Sequence, residues 1–167
     1  VGTCGISAIL ITGKNGHVLI DGGTQAGADV VAANVQSLGF FLADIKVLLH
    51  SHEHFDHVAG LAKLQRLSGA KLFASPEAAP VLRTGVASAA DPQADMHDAF
   101  PAAKVDGYIY EGHPVVLGEL KLSPISTPGH TPGALSWQWR ACENDRCLDL
   151  VYADSLSPIS NDHYRFS

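Results

Sequence analysis

The stretch Ile45-Lys46-Val47-Leu48-Leu49-His50-Ser51-His52-Glu53-His54-Phe55-Asp56-His57 decides the fold. Its first five residues are apolar enough to form a buried strand, and Val58–Leu67 after it carries Val58, Leu61 and Leu64 at helical spacing, with Gly69 as the stop. Between strand and helix lie four imidazoles and two carboxylates, Glu53 and Asp56, within eight positions. Side chains of extended backbone alternate, so His52 and His54 point the same way and can chelate one cation. Once the chain turns into the helix, Asp56 and His57 are redirected toward a second one. Packed together without a cation, these imidazoles repel one another when protonated and are costly to bury unpaired. Imidazole nitrogen with carboxylate oxygen suits zinc. His50 precedes the pattern and is expected to stand aside. Glu53 and Phe55 alternate away from His52 and His54 and are read as non-ligands.

Working outward, Ser7–Ile11 and His17–Ile20 are strand-like runs around Gly13-Lys14-Asn15-Gly16, a hairpin signal. Gly27–Leu38 reads as a helix with Gly39 after it, and Ala70–Ala74 as a strand. At Ser75-Pro76-Glu77 a short helix opens, with Ser75 as N-cap and Pro76 in first position. Strands joined by helices imply parallel neighbours in one sheet. Residues 85–103 read as a long loop. Beyond it Lys104–Tyr110, Val115–Leu117, Leu120–Ile125, Leu135–Arg140 and Cys147–Tyr152 are short strands that look antiparallel, giving an α/β protein with two sheets. A net charge of −6 and no run of Lys or Arg argue against a nucleic-acid partner. No apolar stretch reaches transmembrane length. The chain starts at Val1 without an initiator Met and stops at Ser167 without a closing element, so a fragment is expected.

Two further loops follow strands. Ser126-Thr127-Pro128-Gly129-His130-Thr131-Pro132-Gly133 holds one His in a rigid Pro/Gly frame, a mount for a third ligand. Tyr152-Ala153-Asp154-Ser155-Leu156-Ser157 offers Asp154 as a ligand or as part of a capped turn, and Ser155 and Ser157 as substrate- or water-binding groups. Cys142 and Cys147 flank a polar turn and are either a disulfide, implying an oxidising compartment, or two reduced thiols. Asp21 and Thr127 are candidates to orient ligating imidazoles. His97 is read as a solvated loop residue, His17 and His113 as surface residues beside turns, and Trp137 and Trp139 as core and sheet surface.

The pattern His52-x-His54-x-Asp56-His57, with Asp21-Gly22-Gly23 upstream and Thr127-Pro128-Gly129-His130-Thr131-Pro132-Gly133 downstream, resembles the metallo-β-lactamase superfamily. Tyr152-Ala153-Asp154-Ser155-Leu156-Ser157, the stretch from Ser75-Pro76 to Asp91-Pro92-Gln93 and the short Cys142/Cys147 loop make it most similar to the third subgroup of class B. The resemblance implies a four-layer αβ/βα sandwich, here one domain over residues 1–167, partial at both termini and with an incomplete second half. It further implies two zinc ions: His52, His54 and His130 on the first, Asp56 and His57 with one more His on the second. That last His would lie beyond Ser167, since the setting of His163 does not match. Glyoxalase-like relatives have a bridging Asp in this motif, so Asp154 stays a rival ligand. Ser155 and Ser157 would bind the substrate carboxylate, and Asp56 would orient the zinc-activated water that opens a β-lactam amide. The implied protein is a monomeric periplasmic or secreted bacterial enzyme conferring antibiotic resistance, with a small-molecule substrate and no membrane or nucleic-acid partner. Rivals are another hydrolase of this fold, a glyoxalase-type thioesterase or lactonase, and an inactive zinc-binding fragment.

Overall fold

A computed structural model describes residues 1–166. Strands β1 (Ile9–Gly13), β2 (Gly16–Ile20), β3 (Ile45–Leu49), β4 (Lys71–Ala74) and β5 (Val105–Tyr108) form one sheet in that order. β1 and β2 make the expected hairpin, turning at Lys14-Asn15 with Gly16 at positive φ. From β2 onward the neighbours are parallel. β6 (Val115–Leu117), β7 (Leu120–Ser126), β8 (Leu135–Glu143) and β9 (Arg146–Tyr152) form the second sheet, antiparallel throughout. The sequence pattern put the change of sheet before Val105; it falls after Tyr108. β5 is too short and too exposed for its pattern to reveal a parallel partner, and only its pairing with β4 assigns it.

Two cores fill the sandwich. Leu19, Leu48, Leu61, Leu72 and Val31 pack between the first sheet and helices α1 (Gly27–Ser37), α2 (Phe55–Val58), α3 (Leu61–Ser68) and α4 (Ala78–Thr84). Val18, Ile20, Leu49, Leu122 and Trp137 pack between the sheets. Every helix among the described residues precedes β5, so they supply the first helical layer and both sheets. Trp137 is fully buried, as expected of a core residue, and donates its indole N–H to the His50 carbonyl at 2.9 Å. His17, read as a surface residue, is buried edge-on to Phe40; His113 is exposed.

The run read as one helix over Val58–Leu67 is two, α2 and α3, broken at Ala59-Gly60. There the chain meets the turn after β2. Gly22 N–H donates to the His57 carbonyl at 2.8 Å, and Gly60 N–H to the Gly23 carbonyl at 3.0 Å. A Cβ on Gly60 would run into the Gly22 carbonyl oxygen. Gly60→Ala should therefore lower unfolding free energy by about 1–3 kcal/mol, as overpacking against backbone does; an unchanged denaturant midpoint contradicts the close approach. Helix α4 starts at Ala78, two residues later than expected from Pro76. Its N-cap position is therefore Glu77 and not Ser75, whose Oγ still accepts from Ala78 N–H at 3.2 Å and donates to the Gly133 carbonyl at 2.8 Å.

Candidate metal centre

Functional loops follow β2, β3, β7 and β9. β2 and β3 run parallel, and β7 and β9 both run antiparallel to β8, so each sheet delivers its loops at one strand end. The sheets are tied there: Leu135 N–H donates to the Ser51 carbonyl at 2.7 Å. Ring centroids of His52, His54 and His130 stand 4.7–4.9 Å apart, a near-equilateral triangle. His57 lies 4.0 Å from His52 on its other side. Ligand atoms of His52, His54 and His130 lie within 4.8 Å of one another, as do those of His52, Asp56 and His57.

Each imidazole has one nitrogen already engaged. His52 Nδ1–H donates to Asp154 Oδ1 at 2.8 Å and His54 Nε2–H to Asp91 Oδ2 at 3.1 Å. His57 Nδ1–H donates to Asp21 Oδ2 at 2.8 Å, and His130 Nδ1–H to the Ser157 carbonyl at 2.9 Å. This leaves Nε2 of His52, His57 and His130 and Nδ1 of His54 available. A ligating His normally donates its other N–H to a carboxylate or carbonyl, which fixes the tautomer and orients the ring. The donor set fits a borderline cation such as zinc.

Asp154 therefore grips His52 from behind and stands outside both ligand groups. Asp21 is fully buried at φ 66°, and both its oxygens are used. Ser51 N–H, Ser51 Oγ–H and Tyr152 O–H donate to it at 2.7, 2.7 and 3.1 Å, alongside His57. Burial alone raises its pKa, but the hydrogen bond and charge of His57, with those of Ser51, hold it below the ordinary carboxylate value. For His57 burial lowers the pKa, and Asp21 outweighs it to leave a net rise. His52 is lowered, burial prevailing over Asp154. Burial pushes His50 down to about 4, so it is neutral; its Nε2 accepts from Ser75 N–H at 3.1 Å. His50 belongs to neither candidate ligand group and has a structural use.

Thr127 does not reach an imidazole. Its Oγ1 meets Ser136 Oγ at 3.2 Å, and that hydroxyl accepts from Asp154 N–H. The residue that steadies the His130 loop is Glu53. Its buried carboxylate accepts from Thr131 Oγ1 at 2.6 Å and Gly133 N–H at 2.8 Å, joining the His52/His54 strand end to the loop bearing His130. Glu53→Ala should cost about 1–3 kcal/mol, because a buried hydroxyl and amide lose their acceptor. It should also weaken zinc binding roughly 10–100-fold, as loss of a supporting partner does; unaltered affinity by chelator competition rejects this coupling. Periodicity had marked Glu53 only as pointing away. Asp91 was legible only as part of the long loop over 85–103; there Gln93 N–H donates to its Oδ1 at 2.7 Å. Half-buried His97 lies 5.5 Å from His54 and stacks at 4.8 Å on Phe55, closer to the centre than a solvated loop residue would be. Ser155 and Ser157 hydroxyls are 2.9 Å apart beside His130, lining a cavity of about 180 Å³. Cys142 and Cys147 form a disulfide across paired positions of β8 and β9, and Cys4 is an exposed thiol.

Residues 1–142 match the family model for the metallo-β-lactamase superfamily. The structure superposes with a TM-score of 0.94 on the MIM-2 metallo-β-lactamase, at 61% identity over 99% of this chain and 61% of that one. It superposes at 0.96 on MEM-A1, a subclass B3 metallo-β-lactamase from a soil metagenome library, at 44% identity over 99% of this chain and 62% of that one. A hydroxyacylglutathione hydrolase of Rhodospirillum rubrum is 25% identical over 75% of this chain and 40% of its own length. The chain thus spans about three fifths of these solved enzymes and less than half of that curated relative. Sequence match, fold and the imidazole cluster agree: the chain belongs to the metallo-β-lactamase superfamily.

Proposed function

We propose that this chain is part of a zinc-dependent β-lactam hydrolase of the B3 type, holding two zinc ions and opening the β-lactam amide by hydrolysis. The observation that carries the metal is the convergence of three imidazoles, each with one nitrogen anchored and the other available. His52, His54 and His130 would hold the first ion; Asp56 and His57 would hold the second, with a further ligand. Asp56 Oδ2 lies 3.7 Å from His57 Nε2, a spacing that suits two donors to one ion. When bound, zinc supplies Lewis acidity toward the amide carbonyl and lowers the pKa of water toward neutrality. Asp56 orients the attacking water by accepting its hydrogen bond. Hydrolysis adds the water oxygen to the acyl carbon and a proton to the departing nitrogen, and the serine hydroxyls stay outside the bond changes.

Ser155 and Ser157 would bind the substrate carboxylate, an assignment supported by their paired hydroxyls beside His130. Ser155→Ala is expected to retain zinc and raise KM with kcat little changed; loss of zinc in that variant counts against the role. The β-lactam reading draws support from the likeness to B3 enzymes. The thioesterase reading draws on the hydroxyacylglutathione hydrolases among the relatives. Turnover of nitrocefin against a glutathione thioester decides between them, with thioester turnover alone overturning the first. We further propose a monomer acting in an oxidising compartment, the periplasm or outside the cell, where Cys142–Cys147 persists and the reaction confers antibiotic resistance. No helix among the described residues is long and apolar enough to cross a membrane.

A further inference from the structure

Among the described residues the first sheet is wider than the second. Its five strands face four, and β6, the edge of the second sheet, packs Val115 and Leu117 into the inter-sheet core near β2. The inner face of β4 and β5 therefore runs on past β6. A cavity of about 600 Å³ results, within the range of about 300–1,000 Å³ usual for small-molecule sites. Val47, Phe73, Ile109, Val115 and Leu117 give it an apolar wall. Gly107 makes room for that wall, since a Cβ there would press on the Phe73 ring.

Charge is placed at one end only. Lys71 is the register partner of Val47 and so shares its face of the sheet. Lys46 and Gly69 border the same end, and His113 also lines the cavity. No carboxylate lines it, in a chain with 17 acidic and 11 basic residues. Asp106 on β5 is already paired with Lys104 at 2.8 Å and also feels the charge of Lys71. Lys46 Nζ donates to the Ala43 carbonyl at 2.6 Å, so Lys71 is the cation left without a direct hydrogen-bond or ion-pair partner among the described residues. Lys46 and Lys71 lie at the starting ends of β3 and β4, whereas the loop with the candidate metal ligands leaves the other end of β3. The cavity is thus a different place from the metal centre.

We propose that this cavity binds an amphiphilic monocarboxylate, an alkyl chain lying along Phe73 and Ile109 with its carboxylate on Lys71. Complementarity of an apolar trough and a cationic mouth, in a protein of opposite net charge, selects that class over neutral or cationic amphiphiles. The test is titration of the chain with sodium decanoate, followed by methyl NMR, beside decanol and decyltrimethylammonium. Saturable shifts of the Val47, Ile109, Val115 and Leu117 methyls are expected with decanoate, with the His52, His54 and His130 ring signals unmoved. Lys71→Glu, an exposed change that leaves the core intact, should weaken decanoate about tenfold or more by replacing attraction with repulsion, and Lys71→Arg should preserve it. The proposal is overturned by absence of saturable binding, by equal affinity for decanol, by shifts confined to the metal-ligand rings, or by an unchanged affinity in Lys71→Glu. Loss of nitrocefin turnover alone bears on the metal centre and leaves these readouts intact.

Discussion

His54→Ala removes a corner of the imidazole triangle, and zinc content and hydrolysis are expected to fall together. Two imidazoles remain there, His52 and His130, and two ligands without a third no longer match the three-ligand catalytic zinc pattern. Asp91 is left behind as a buried carboxylate whose imidazole donor is gone. The loss in kcat/KM should exceed the roughly 10–100-fold that removal of a supporting partner produces. Secondary structure should survive, because His54 lies in the loop between β3 and α2 and contributes to neither apolar core. Metal analysis with steady-state turnover on the same preparation checks this. A variant that retains full zinc and turnover within a few fold of the parent removes His54 from the centre, and with it the site proposed here.

The second large effect is expected at Asp21, on stability as well as on metal. Its carboxylate accepts from Ser51 backbone and hydroxyl, from His57 and from Tyr152, all within 3.1 Å. In Asp21→Ala all these donors are left in a buried site, and breaking a buried charged pair costs about 3–5 kcal/mol. Alanine also tolerates φ 66° less well than Asp or Asn, whose short polar side chains stabilise the left-handed region. Asp21→Asn separates the two causes. It keeps the backbone preference and one carbonyl acceptor, but the amide removes the negative charge and turns an N–H toward His57 or Tyr152. Asn is therefore expected to recover part of the stability and little of the second-site metal affinity. Denaturant unfolding of both variants, with cobalt substitution to report the His57 site, reads the two quantities apart. Equal stability of Ala and parent would mean that Asp21 is no hub.

The legible part of this fold was its periodicity. β3 is found over Ile45–Leu49 and β6 over Val115–Leu117, as their apolar patterns predict; all of β3 but Lys46 is buried, and Val115 and Leu117 of β6 pack against the inter-sheet core while Val116 is exposed. The break between α2 and α3 was hidden, since Val58, Leu61 and Leu64 keep one helical face across it. Its cause lies in contacts with Gly22 and Gly23, nearly forty residues upstream. β5 was assigned to the wrong half for a similar reason: four residues carry too little pattern to name a partner strand.

The candidate ligands were legible because four imidazoles and two carboxylates crowd into eight residues. Local chemistry alone determined that much: the alternation that sends His52 and His54 together, the Pro/Gly frame around His130, and the Cys142/Cys147 turn. Tertiary structure decided which ring nitrogen each His has left to give. Asp21, Asp91, Asp154 and the Ser157 carbonyl come from distant loops, and only folding brings them behind the imidazoles. Glu53 shows the division most plainly. Alternation could say where it does not point, but hydrogen bonds to Thr131 and Gly133, about eighty residues away, exist only once both sheets have closed. A side chain's direction is set by its neighbours in the chain, whereas its partner is set by packing of segments that the sequence leaves far apart.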